Sequence, residues 1–494
     1  MPDHAPGERG PRLAAAISND ETRASLPLSQ AERAPAHYDL IVIGSGQCGN
    51  PLASAFFAKG KRVAVMERGA VGGTCVNYGC TPTKAMVASA EIAFMARRAK
   101  EFGIHVGQIE TDVNAIIERK RGIVDTWRKG SEKRFEHGID LLRGTAFFTG
   151  PKQIRVKLRT GAEQDLTADI VVIDTGLSSA IPDLKGIHSI QHLDNVSIME
   201  IDHVPQHLLI LGGGYVGLEF AQMFRRFGSE VTIIQRGPQL LTGEDSDVAE
   251  EVVNILREDG ITIHLSAKAE SVSQVGARIR LEISSASGPH SLEGTDLLVA
   301  AGREPNTKAL NLSAAGIEIN ERGFITVNEK LETSVSGVYA VGDVNGGPAF
   351  THISYDDFRV LKANLLDGGS RVTTGRPLPY CVFIDPQLAR IGLSEAAARR
   401  AGRKYKLAKI EMSSVARAYE TGQTRGFMKA LVDPDTAEIL GAAILGADGG
   451  ELMSMIEIAM MAKLPYTTLR DGIFAHPTFA ESLNTLFASL DSNG

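Results

Sequence analysis

The chain has 494 residues, too many for one core and enough for three domains. A net charge of −7 with 22% charged residues argues against the broad basic face that nucleic acid requires, and no apolar run reaches the roughly 20 residues of a bilayer span. Four cysteines, Cys48, Cys75, Cys80 and Cys381, are too few to staple a secreted scaffold. A cytoplasmic protein is expected, with Cys75 and Cys80 close enough in sequence to suggest redox work.

Residues 1–37 are rich in Ala, Pro, Arg, Glu and Ser and lack the apolar stretch of a secretory signal, so a disordered tail is expected. Residues 38–43, YDLIVI, have the short β-branched character of a buried parallel strand. A glycine loop, a helix from about Pro51 to Lys59 and a second strand, RVAVMER, complete a βαβ unit. The same grammar returns in HLLILGGGYVGLEFAQMFRRFGSEVTIIQR. Two such units imply two dinucleotides, or one domain duplicated for structure alone. Residues 169–176, 296–306 and 337–344 read as apolar strands ending in glycine turns. Beyond a Gly/Ser/Thr/Arg-rich linker at 367–376 the pattern changes to antiparallel strands and an apolar-faced helix, GELMSMIEIAMMAKL, as in a separate α+β domain.

The first loop, Gly44-Ser45-Gly46-Gln47-Cys48-Gly49, lets the backbone approach a pyrophosphate at a helix N-terminus. Glu67 ends the next strand, about 20 residues on, where a carboxylate accepts a ribose hydroxyl bond. The second loop is Gly212-Gly213-Gly214-Tyr215-Val216-Gly217, and its second strand ends in Gln235 and Arg236 instead of an acid. Loss of a carboxylate removes repulsion of a 2′-phosphate and arginine can pair with one, which favours NADPH over NADH. Arg236 has the alternative reading of a solvated surface charge.

The segment Gly72-Gly73-Thr74-Cys75-Val76-Asn77-Tyr78-Gly79-Cys80-Thr81-Pro82-Thr83-Lys84 carries the most specific signal. It begins just past Glu67 and is expected to run into a helix, whose N-terminus stabilises a thiolate. The alternatives are a zinc half-site or two buried structural cysteines. No second Cys/His pair accompanies it, so no metal site is expected. Near the end, Phe474-Ala475-His476-Pro477-Thr478-Phe479-Ala480-Glu481 offers a histidine with a carboxylate five residues on, a general acid–base pair.

Taken in order, GGTCVNYGCTPTK, the paired glycine loops, YAVGD and HPTFAE resemble the class I pyridine nucleotide–disulfide oxidoreductases from Tyr38 onward. The resemblance implies an α/β chain with two Rossmann-like domains and a C-terminal α+β dimerisation domain. It divides into FAD-binding parts at 38–180 and 308–372, an NAD(P)-binding domain at 181–307 and a dimerisation domain at 373–494. It implies FAD contacts at Gly44, Gly46, Gly49, Glu67, Gly73, Thr74, Lys84 and Asp343, and NAD(P)H contacts at Gly212, Gly214, Tyr215, Gly217, Gln235, Arg236 and Gly302. Cys80 would face the flavin, Cys75 would exchange with substrate, and Lys84 would pair with Glu219. His476 and Glu481 would be donated across a homodimer. Electrons would pass from NAD(P)H through FAD to the disulfide and on to a small oxidant or disulfide.

FTHISYDDFRVLKANLL and LPYTTLRDGIFAHPTFAESLNTLF are similar to the mercuric reductase-like branch, which includes hypothiocyanous acid reductases. The C-terminal vicinal cysteines of true mercuric reductases are missing from LFASLDSNG. Reduction of mercuric or cupric ion and dihydrolipoamide oxidation are the enzyme alternatives; a low-turnover flavin sensor is a third class. Two departures from the family pattern stand out: Asp174, where alanine or asparagine is usual, and Tyr78, which would either narrow the site or pack, packing being the expectation.

Overall fold

The computed structural model describes residues 35–492. The expected tail therefore lies almost wholly outside the described residues, but its last part does not. The first strand is Ala36–Ile43, two residues longer than the apolar run predicts, because Ala36 and His37 pair with Leu166 and Thr167 of a long neighbouring strand. Leu40, Ile41 and Val42 are fully buried, as a strand flanked on both edges and both faces must be.

The first unit is a sheet in which Ala36–Ile43 runs parallel to Val63–Glu67 on one side and to Glu163–Ile173 on the other. Asp140–Gly150 and Val338–Ala340 extend its two edges in parallel. Asp140–Gly150 and Glu163–Ile173 then continue beyond the parallel layer and are joined by Gln153–Leu158 in antiparallel pairing. That extension has no counterpart in the sequence reading, since its alternation is diluted by charged residues on the exposed face.

The second unit is a four-stranded parallel sheet, ordered Asp296–Val299, His207–Leu211, Glu230–Ile234, Thr262–His264, followed along the chain by an antiparallel meander over residues 268–294. Arg303–Pro305 pairs with Leu177–Ser179, so the two chain crossings between the units lie side by side. The C-terminal block is a five-stranded antiparallel sheet covered by helices Gly449–Met461 and Ser482–Ser492.

A buried charge cluster pins this block to the second unit. The Lys429 ammonium, with no exposed surface, lies 2.9 Å from Asp245, 2.7 Å from Asp247 and 3.0 Å from Glu395. Beside it, Arg390 pairs with Glu244 at 2.6 Å. The carboxylates could otherwise be read as a cation site; lysine already supplies the charge they need.

Candidate active site

Both glycine loops turn where a side chain cannot go. Gly44 has φ +101°, and a Cβ on it would stand 2.2 Å from the Asp174 carbonyl oxygen. Gly212 has φ +114°, with a Cβ 2.4 Å from the Ala300 carbonyl oxygen. Each chain then enters a helix, Gly49–Ala58 or Tyr215–Phe227, so backbone N–H groups face outward from the loop. Gly217 packs on Gly212, and Gly214 stands in open space. The two strand ends are also alike. Glu67 Oε2 accepts from the Ser45 N–H at 3.0 Å and its hydroxyl at 2.6 Å, while Gln235 Oε1 accepts from the Gly213 N–H at 3.0 Å. An amide thus does in the second unit what a carboxylate does in the first. Arg236 is exposed and is not among the residues lining the cavity, whereas Gln235 is.

The cysteine segment packs directly on the first loop: a Cβ on Gly73 would stand 2.8 Å from Gly46 Cα. A short helix, Gly73–Asn77, carries Thr74 and Cys75, and Cys80 opens the helix Cys80–Arg98. Both sulfurs open on the same cavity, and Thr351 Oγ1 lies 3.3 Å from Cys80 Sγ. The neighbouring Cys75 thiol, then Thr351 and the Lys84 charge, bring the Cys80 thiol down to about 6. The Cys80 neighbour and burial push the Cys75 thiol up, the opposite direction to Cys80. Tyr78 is not packed as expected; it is 38% exposed and lines the cavity beside the cysteines.

Lys84 Nζ pairs with Glu219 Oε2 at 2.7 Å, and Glu219 Oε1 accepts from the Phe383 N–H at 2.9 Å. Tyr215 begins the second helix, its ring 6.1 Å from Phe350. Asp343 is held by Arg303 at 3.1 Å; burial raises its carboxyl and Arg303 opposes that. One cavity of about 1830 Å³ is lined by residues 44–47 and 212–216 of the glycine loops, Glu67, Thr74, Cys75, Cys80, Lys84, Glu219, Gly302 and Asp343. Of the expected site residues, Gly49, Gly217, Arg236, His476 and Glu481 do not line it. His476 Nδ1 meets Glu481 Oε2 at 2.8 Å as the spacing implies, but the pair sits on an exposed face.

Sequence reasoning missed Thr351, Phe350 and Arg303. The first two belong to FTHISYDDF, which marked a branch of relatives but carried no signal of proximity to Cys80.

A family model described as pyridine nucleotide-disulphide oxidoreductase matches residues 38–357, and its dimerisation domain matches residues 378–487. The chain belongs to this family. It is 37% identical to the probable pyridine nucleotide-disulfide oxidoreductase RclA of Escherichia coli, over 91% of this chain and 99% of RclA. It is 33% identical to a mercuric reductase of Staphylococcus aureus, over 92% and 83% of the two chains, and 32% identical to a dihydrolipoyl dehydrogenase of Chlorobaculum parvum, over 94% and 100%. Among solved structures, the Cu(II) complex of the HOCl-induced flavoprotein disulfide reductase RclA from E. coli aligns with TM-score 0.84 at 36% identity, covering 92% of this chain and 99% of that one.

The oxidoreductase is therefore a flavoprotein using FAD and NAD(P)H, with the family's dimerisation domain at its C-terminus. Its first loop fits FAD: Gly44 and Gly46 have no room for a side chain, Glu67 closes the strand, and Asp343 lines the same cavity as the cysteines. No helix of the described residues is long and apolar enough to cross a membrane.

Proposed function

We propose that this oxidoreductase spends NADPH to reduce a small sulfenylating oxidant, such as hypothiocyanous acid, or a small disulfide, with Cys75 as the exchanging thiol and Cys80 as the thiolate beside the flavin. The observation that carries this is the placing of two free cysteines on the cavity shared by both glycine loops, with the Thr351 hydroxyl 3.3 Å from Cys80 Sγ and Lys84 on the same wall, both favouring a thiolate at Cys80. Cys75 then needs a base, and His476, paired with Glu481 at 2.8 Å, is exposed on the dimerisation domain. It serves a second copy's cavity, so the site is shared across a homodimer.

The residues act as follows. His476 of the partner subunit takes the Cys75 proton. The Cys75 thiolate attacks the electrophilic sulfur of the oxidant, forming a mixed disulfide, and the leaving group departs with the bonding pair and receives the proton from the histidine. Cys80 then attacks the Cys75 sulfur, closing the Cys75–Cys80 disulfide and expelling the substrate as a thiolate. Two electrons have moved from the dithiol to the substrate. FAD, when bound, supplies the relay by which NAD(P)H restores the dithiol. Lys84 and Glu219 keep a fixed charge pair in the cavity, and Tyr215 with Phe350 forms an aromatic wall beside the second loop.

The second loop's strand ends in Gln235 instead of an acid that would repel a 2′-phosphate, and Arg236 is exposed next to it, which supports NADPH. A dependence on NADPH and free thiols suits the cytoplasm. We keep 38–180 with 308–372 as the FAD-binding parts, 181–307 as the NAD(P)-binding domain and 373–494 as the dimerisation domain.

The test is steady-state oxidation of NADPH and NADH against hypothiocyanous acid, glutathione disulfide, lipoamide, cupric ion and mercuric ion, with Cys75→Ser as control. Sulfur oxidants turned over by the wild type and not by Cys75→Ser are expected. Full activity in Cys75→Ser refutes the dithiol mechanism; turnover confined to the metal ions refutes the substrate class.

A further inference from the structure

Asp174 is a buried acid that the proposed chemistry leaves unused. The strand Glu163–Ile173 delivers it against the first loop, where its backbone N–H donates to the Ile43 carbonyl at 2.8 Å. Its side chain turns into the loop itself. Oδ2 accepts from the Gly49 N–H at 2.7 Å, and a Cβ on Gly46 would stand 2.7 Å from Oδ2 and 2.8 Å from Oδ1. The residue is only 8% exposed, yet it lines the cavity. A carboxyl group thus sits at the helix N-terminus that a Rossmann-type loop presents to a pyrophosphate.

The charged groups around it are acids. Glu67 faces it from the strand Val63–Glu67, Asp343 from the turn after Val338–Ala340, and Asp357 from the helix Thr351–Leu366; the Cys48 thiol faces it from the loop. The nearby cations are engaged elsewhere, Arg303 with Asp343 at 3.1 Å and Arg376 with Asp357 at 2.6 Å. Burial, reinforced by the three acids, pushes the Asp174 carboxyl well above the ordinary carboxylate range, against the lowering by the Gly49 N–H. An ionised Asp174 would be a buried charge without a cation, set beside a doubly charged ligand.

We infer that Asp174 holds the phosphate-bearing end of FAD as a neutral carboxylic acid, accepting the Gly49 N–H on Oδ2 and offering its own proton from Oδ1, so that the cofactor loosens when Asp174 ionises. The loop's grip on FAD is then proton-linked. FAD binding favours the protonated form, so affinity is full at low pH and falls as pH rises through the Asp174 pKa of the flavin-free protein.

The experiment measures FAD dissociation from the holoenzyme by flavin fluorescence across acid to alkaline pH, in the wild type and in Asp174→Asn, which keeps an acceptor and a donor without the charge. The wild type is expected to lose affinity by up to about tenfold per pH unit on the alkaline side, the limit for one linked proton. Asp174→Asn is expected to hold the wild type's low-pH affinity with a flat profile. A variant with the wild-type slope, or one weakened equally at every pH, overturns the inference. Infrared spectra of the holoenzyme, taken as the difference between wild type and Asp174→Asn, give a second reading specific to this carboxyl. A protonated-carboxyl band that disappears over the interval where FAD is released supports it; absence of that band at neutral pH overturns it.

Discussion

Thr351 provides the sharpest test of how the cavity sets its thiolate. Its hydroxyl lies 3.3 Å from Cys80 Sγ, and it opens the helix Thr351–Leu366 just as Cys80 opens the helix Cys80–Arg98. Thr351→Val keeps the branched shape and removes only the donor. A hydrogen bond to a charged group contributes about 1.5–3 kcal/mol, and a long bond to sulfur at a group open to the cavity belongs at or below the low end. At about 1.4 kcal/mol per pKa unit, the Cys80 midpoint should rise from about 6 by roughly one unit. The sign follows from a depressed thiol: the thiolate is present above the midpoint and lost as pH falls through it. The assay is the pH titration of the long-wavelength thiolate–flavin absorbance in the two-electron-reduced holoenzyme. Thr351→Val should lose that absorbance at a higher pH than the wild type, and Thr351→Ser should restore the wild-type midpoint. An unchanged midpoint in Thr351→Val refutes the assignment of Thr351 to thiolate stabilisation and leaves Cys75 and Lys84 as its sources.

His476→Gln should slow reduction of the sulfur oxidant by about 10²–10⁴-fold, the usual worth of a positioned acid–base group, while NADPH oxidation by a one-electron dye acceptor is kept. Mixing inactive Cys75→Ser with inactive His476→Gln subunits should regain activity through dimers holding one intact shared site; no recovery after subunit exchange counts against donation across the interface. Lys429→Met strands three carboxylates and should destabilise the fold by about 3–5 kcal/mol at neutral pH, read by denaturant unfolding. Because Lys429 and backbone N–H groups hold Asp245 down to about 2 against the cost of its burial, the stabilisation is present above the ordinary carboxylate range and lost as pH falls toward about 2. The deficit of the variant should shrink over that same interval.

Local sequence patterns determined what local stereochemistry can encode. A glycine that must take φ +101° or +114° identifies its loop without reference to the rest of the chain, and so do a β-branched run and a thiol pair at the start of a helix. Hence both nucleotide units, the redox segment and the His476–Glu481 pair were legible, and the resemblance they carried named the family. Tertiary structure decided which distant residues share a space. Asp174 meets Gly49 across 125 positions and Thr351 meets Cys80 across 271, and neither contact leaves a periodicity or a spacing to read. Such contacts depend on which strands are neighbours and in what register, a property of the assembled sheets. The same reason explains why Tyr78 lines the cavity instead of packing, and why three carboxylates became partners of one buried lysine.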